Sequence, residues 1–183
     1  MERWVVAAKR ADFNEIGRKF SIDPVIARLI RNRDVVGDEA IRNYLYGGLE
    51  DLSSPEQMKG MEEAAVLLLE KIRGKKSIRI IGDYDIDGIM SSYILKKGLE
   101  RLGAEADVRI PDRLTDGYGL NGHLVRQAYE DGIDTIVTCD NGIAAAAQIA
   151  AAREQGMSVI VTDHHEIPYE EEQGERRYIL PPA

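Results

Sequence analysis

Three carboxylates at alternate positions, Asp83, Asp85 and Asp87, follow the apolar run Ile78-Arg79-Ile80-Ile81 and precede Gly88. Carboxylates this close repel one another unless a proton or a cation holds them together. Hard oxygen donors of this kind suit Mg²⁺, Mn²⁺ or Ca²⁺. The same residues open the D-x-D-x-D-G pattern of a helix-flanked calcium loop. Such a loop needs a Glu at its twelfth position, which is Ile94 here, and a helix in front of it, where this sequence reads as a strand. A solvated acidic turn would account for the carboxylates if they stood alone.

They do not stand alone. Asp140 and Asn141 follow a second apolar run, and Asp163, His164 and His165 follow a third. For these clusters to meet, the elements that carry them must be parallel strands. The pattern predicts strands over Ser77–Ile81, Ala106–Ile110, Thr135–Cys139 and Ser158–Thr162. They alternate with helices over Ile89–Leu102, about Gly122 to Asp131, and Ile143–Gln155. Near-continuous apolar strands alternating with helices imply an α/β fold, with a parallel sheet covered by helices on both faces. Ligands of such sheets bind at the carboxyl ends of the strands. All three polar clusters fall on that rim. Asn141 or Asp140 alone reads equally well as a helix cap. Cys139 is expected to face the sheet core.

Carboxylates joined by one or two imidazoles suit Mn²⁺ or Mg²⁺ with open positions for substrate, rather than a sulfur-rich zinc site. Two such ions can activate water and stabilise both oxygens of an in-line phosphoryl displacement. No P-loop or dinucleotide-binding glycine pattern occurs. The expected chemistry is metal-assisted phosphoester hydrolysis.

The region before the first strand predicts short helices over residues 1–50. Ile22, Val25, Ile26, Leu29 and Ile30 recur at helical spacing behind Pro24. Arg28, Arg31 and Arg33 nearby read as a solvated charged face or as phosphate contacts. Ser54-Pro55 with Gln57 forms a capping box, predicted to start a helix that carries Met61, Ala64, Ala65, Leu68, Leu69 and Ile72 and stops near Gly74. The expected domains are a helical N-terminal extension over 1–54 and an α/β domain over 55–183.

With 44% hydrophobic and 31% charged residues the chain has an ordinary globular composition. It holds no run of about 18 apolar residues to span a membrane, and no apolar signal core opens it. One cysteine excludes an internal disulfide. A cytoplasmic protein with no membrane partner is the expectation. The formal net charge of −8 is opposite to that of a duplex-tracking module. Acids that hold divalent ions are partly neutralised when loaded, so the charge does not exclude a nucleic-acid substrate.

Four ordered motifs carry a family resemblance: GDYDIDG (82–88), IPDRLTDGYGLN (110–121), TCDNGI (138–143) and VTDHHEIP (161–168). They resemble the DHH phosphoesterase family, and within it the N-terminal part of the RecJ-like exonucleases, which degrade single-stranded DNA from the 5′ end. PVIARLI (24–30) and MEEA (61–64) extend the resemblance more weakly through the N-terminal helices. The resemblance implies Asp85, Asp87, Asp140 and His164 as metal ligands for up to two Mn²⁺ or Mg²⁺ ions, with Asp140 bridging and Asp83 a further candidate. It implies His165 near the scissile phosphate and Asp163 supporting the histidines. Arg113, Gly117, Tyr118 and Gly119 are candidates for the substrate side. Single-stranded DNA is the implied partner, with repair or replication proteins beside it.

Two departures bear on this. Many family members carry a histidine where this chain has Ile81, which weakens one metal position unless Asp83 or water replaces the donor. The family pattern also continues past Ala183, into a further metal-binding Asp and a second domain, so the chain reads as an N-terminal catalytic fragment. Two other readings stay open. One is a DHH phosphodiesterase for short oligonucleotides or cyclic dinucleotides, and the other is a non-catalytic scaffold in replication or repair.

Overall fold

The computed structural model describes residues 9–172 and 175–182; the helical expectation for residues 1–8 lies outside them. The chain divides into two compact units, Met1–Lys59 and Gly60–Ala183. The first is a small helical unit of α1 (Phe13–Phe20), α2 (Pro24–Asn32) and α3 (Asp38–Tyr46). Asp12 and Asp23 cap α1 and α2 by accepting from the amides of Glu15 and Val25. Phe20, Ile30 and Ile41 form its core. The apolar spacing of α2 predicts the helix but does not mark its buried face. Ala27 and Ile30 are buried, whereas Val25, Ile26 and Leu29 are exposed. Its arginines are engaged locally: Arg28 stacks on Phe13, Arg31 pairs with Asp34, and Arg33 donates to the carbonyl of Leu29.

The capping box at Ser54 also needs correction. The Ser54 hydroxyl accepts from the Glu56 amide and caps only a 3₁₀ turn over Pro55–Gln57, and α4 (Met61–Arg73) starts afresh after Gly60. Gly60 has φ +75°, a left-handed conformation that interrupts any helix running through it. The C-terminal stop near Gly74 agrees with the structure.

The second unit then alternates as expected: β1 (Ile78–Ile81), α5 (Ile86–Arg101), β2 (Ala106–Arg109), α6 (Gly122–Glu130), β3 (Thr135–Cys139), α7 (Ala146–Glu154) and β4 (Ser158–Thr162). These four strands form one parallel sheet in the order β2-β1-β3-β4. Successive residues of a strand face opposite sides. Ile78, Ile80, Val137 and Cys139 therefore pack with α4 and α5, while Ile81 and Ile136 pack with α6 and α7. Cys139 is buried in the sheet core. Both faces are covered.

Two features had no signal in the apolar pattern. Arg79 is buried in the middle of β1, where its guanidinium meets Asp107 twice, at 2.9 and 2.6 Å, and Asp131 at 2.9 Å. A buried cation needs such compensation. Strands β5 (Tyr169–Glu172) and β6 (Glu175–Tyr178) form a separate antiparallel hairpin. Every residue in both strands is exposed, so no alternation marks them.

Candidate metal centre

The sheet order changes direction between β1 and β3: the chain leaves β1 for β2 on one side and returns to β3 on the other. Ligands of open α/β sheets bind in the crevice outside the carboxyl ends at such a switch point. The end of β1 delivers Asp83 and Asp85 there, and the end of β3 delivers Asp140. β1, and not a helix, precedes the acids, so the calcium-loop alternative lacks its flanking helix.

Asp85 is the N-cap of α5 and accepts from the amide of Gly88 at 2.9 Å. That bond uses one carboxylate oxygen and fixes the side chain at the helix mouth. Asp83 is 2% exposed, and its Oδ1 has no hydrogen-bond partner. Burial, and then the neighbouring Asp85 and Asp140 carboxylates, push its pKa up against the opposing pull of the Tyr84 amide. Asp140 is buried with φ +62°, a left-handed turn that swings the chain out of the ladder as β3 ends. Its amide still donates to the carbonyl of Thr162 in β4.

Two donor groups result, and they share Asp140. Asp83, Asp85 and Asp140 offer ligand atoms within 4.8 Å of one another, and so do Asp140, His164 and His165. The Nε2 of His164 lies 2.7 Å from Asp140 Oδ1. Asp87 belongs to neither group. It sits in the first turn of α5, exposed. A helix turns by roughly 100° per residue, which carries position 87 well around from the capping residue 85.

Asp163 stands behind His165. Its Oδ1 lies 2.7 Å from Nδ1 of that ring, and its Oδ2 accepts from the amide of Ile143 at 2.9 Å. Burial alone would raise the Asp163 pKa, but these hydrogen bonds, with a further one from the His165 amide, bring it below the usual range. In return the Asp163 carboxylate lifts the His165 pKa over a smaller opposing effect of burial, with Asp140 and Asp83 adding to the rise. An ionised carboxylate only accepts, so Nδ1 carries the proton that faces Asp163.

The loop over 110–121 closes one side. The Tyr118 hydroxyl donates to the carbonyl of Asp140 at 3.1 Å and lies 3.2 Å from His165 Nε2. Burial, and then Asp83, Asp163 and other carboxylates, push its pKa up to about 12. Arg113 stacks on the Tyr84 ring at 5.4 Å, and Tyr84 meets Tyr118 edge-on at 6.3 Å. Gly117 and Gly119 supply left-handed turns, with φ +78° and +64°. Tyr84, enclosed between the acids of GDYDIDG, joins this side of the site through Arg113 and Tyr118. An aromatic residue placed between candidate ligands was the signal available for it in the sequence.

The residues fit a divalent ion. The donors are oxygens and imidazoles, and Asp83, which has a buried oxygen without a hydrogen-bond partner, shares its donor group with two further carboxylates.

The family model described as "DHH family, N-terminal domain" matches residues 77–183. The chain is 38% identical over 165 residues to the single-stranded-DNA-specific exonuclease RecJ of Bacillus subtilis, covering 90% of this chain and 21% of that protein. It is 43% identical over 136 residues to RecJ of Thermus thermophilus, covering 71% of this chain and 20% of that one. The crystal structure of RecJ from Thermus thermophilus in complex with Mn²⁺ superposes with a TM-score of 0.57 at 32% identity, covering 84% of this chain and 21% of that one. The chain thus spans about a fifth of the length of these relatives. Since the family model takes in β1 through β4 and every strand-end cluster just described, the chain belongs to the DHH family.

Proposed function

We propose that this chain is the metal-holding part of a RecJ-like exonuclease that hydrolyses single-stranded DNA from the 5′ end with Mn²⁺ or Mg²⁺. The observation that carries the reading is the pair of donor groups sharing Asp140 at the switch point of the sheet. In the proposed arrangement Asp83, Asp85 and Asp140 hold one ion, and Asp140 with His164 holds the other. Asp87 stays outside both. Bound divalent ions would polarise the phosphate and lower the pKa of the attacking water.

The remaining work falls to the chain's own groups. His165 lies near enough to be a third donor, but Asp163 engages its Nδ1 and Tyr118 lies beside its Nε2. That favours His165 as a proton carrier. Its raised pKa keeps it protonated to higher pH than an ordinary histidine, so it can give that proton to the departing oxygen as the ester bond breaks. Arg113, Tyr84 and Tyr118 offer a cation and ring faces on which an unpaired base can stack, a mode open to single strands.

The test is hydrolysis of a single-stranded oligonucleotide, labelled at either end, by the chain and by Asp140→Ala, with Mn²⁺ and with excess EDTA. Release of 5′-terminal nucleotides that needs both Mn²⁺ and Asp140 supports the reading. Turnover confined to dinucleotides would favour a small-substrate phosphodiesterase. Mn²⁺ binding without hydrolysis of any substrate would favour the scaffold role.

A further inference from the structure

Asn141 follows Asp140 directly and is fully buried. Its amide group makes three hydrogen bonds to three different segments. Nδ2 donates to the carbonyl of Ile81 at 3.0 Å and to that of Cys139 at 2.9 Å, and Oδ1 accepts from the Leu120 amide at 3.1 Å. Ile81 closes β1, Cys139 closes β3, and Leu120 ends the loop that carries Arg113 and Tyr118. Backbone pairing between β1 and β3 stops at Ile81 and Thr138. The Asn141 side chain extends the cross-link past that point, to where the acids leave the sheet. Gly119 leaves room for it: a Cβ there would lie 3.1 Å from Asn141 Cβ and 3.4 Å from its Oδ1.

We infer that Asn141 is a positioning residue that sets the spacing between the Asp83–Asp85 end of β1 and Asp140 at the end of β3, and that holds Tyr118 over His165. The inference rests on the strand-end acids being a metal site, as proposed above. A purely structural Asn141 would only satisfy stray backbone groups. Both roles lower stability when the side chain is lost, so stability alone does not separate them. Metal affinity and the state of the His165 ring do.

The experiment uses the full chain in four forms: unaltered, Asn141→Ala, Asn141→Asp and Val137→Ala. The last opens a cavity in β3 without touching the cross-link. Each is titrated with Mn²⁺ by calorimetry, after unfolding curves have established that it is folded. Asn141→Ala should bind about 10–100-fold more weakly, the usual cost of losing the groups that orient ligands. Val137→Ala should stay within roughly twofold of the unaltered chain. Asn141→Asp is close to isosteric, and its added charge would by Coulomb attraction alone strengthen cation binding. Weaker binding by this form therefore supports a positional role even where Asn141→Ala fails to fold. In the metal-free chain, Gly119→Ala should move the His165 imidazole resonances by pressing its Cβ against Asn141 and displacing the loop.

Equal affinity in the unaltered chain and the Asn141 variants overturns the inference, as does a parallel loss in Val137→Ala. Unmoved His165 resonances in Gly119→Ala overturn its loop half. An unaltered chain that binds no Mn²⁺ overturns the metal-site reading and this inference with it, and that result is distinct from the others.

Discussion

Asp83→Asn should make the metal-free protein more stable and its metal complex weaker. Asp83 is 2% exposed and its Oδ1 has no partner. An unsatisfied buried polar group costs about 1–3 kcal/mol, and more when it is charged. Asparagine removes the charge, and its amide can donate toward Asp85 and Asp140, which share the donor group. The expected gain without metal is therefore ~1–3 kcal/mol, or roughly 4–12 °C in melting temperature for a unit of this size. With Mn²⁺ at a hundredfold excess over its dissociation constant, the unaltered chain gains about 2.7 kcal/mol, and Asp83→Asn gains much less. The pH dependence has a defined sign. Burial, and then Asp85 and Asp140, raise the pKa of Asp83 in the folded state. Its penalty is thus absent below the ordinary aspartate value and grows as pH rises through the raised one. The difference in stability between the two proteins in EDTA should follow that course, absent in acid and growing as pH rises through the raised value. Thermal unfolding by circular dichroism, in EDTA and in Mn²⁺ across pH, measures all of this. An Asp83→Asn protein less stable than the unaltered chain in EDTA at neutral pH would refute the reasoning, because the carboxylate would then be accepting bonds the fold needs.

Two glycines of α5 should respond in opposite directions to alanine. A Cβ at Gly88 would lie 2.5 Å from both the amide nitrogen and the carbonyl oxygen of Asp83, whereas one at Gly98 meets nothing within 4 Å. Gly88→Ala should cost about 1–3 kcal/mol or more, and Gly98→Ala should add roughly 0.5–1 kcal/mol, both read by urea unfolding. Around Arg79 the order of damage should follow burial. The Arg79 side chain is 3% exposed, against 39% for Asp107 and 44% for Asp131. Asp107→Ala strips a buried cation of its two-pronged partner and should cost ~3 kcal/mol, while Arg79→Met leaves acids that can rehydrate and should cost less. Equal losses in the two unfolding curves would contradict that. In a spectrophotometric titration of the eight tyrosines, Tyr118→Phe should remove an ionisation near pH 12, the value to which burial and the nearby carboxylates push Tyr118.

The sheet was legible because its signals are local. Strands β3 and β4 run over the residues their apolar runs marked, and Gly74 and Asn121 ended or capped helices as their chemistry requires. What escaped depends on contacts between distant segments. The buried face of α2 is chosen by α1 and α3, so its strongest apolar residues, Val25, Ile26 and Leu29, lie outside it. Arg79 reads as a break in an apolar strand until Asp107 and Asp131, 28 and 52 residues away, are seen to neutralise it. Ser54 and Gln57 read as a capping box in the sequence, yet Ser54 caps only a short 3₁₀ turn and the left-handed Gly60 decides where α4 begins.

The same distinction explains the candidate site. Residue types and strand ends marked Asp85, Asp140, His164 and His165, whereas the grouping of Asp83, rather than Asp87, with Asp85 and Asp140 depends on how the chain turns from β1 into α5. Ile81, which ends β1, is fully buried and packs against α6 and α7. The proposed set around the first ion then consists of oxygens alone. Such a set favours hard ions such as Mn²⁺ or Mg²⁺ over zinc, which prefers nitrogen and sulfur. The buried charge that Asp83 carries without metal is the cost of that arrangement, and loading the ion relieves it.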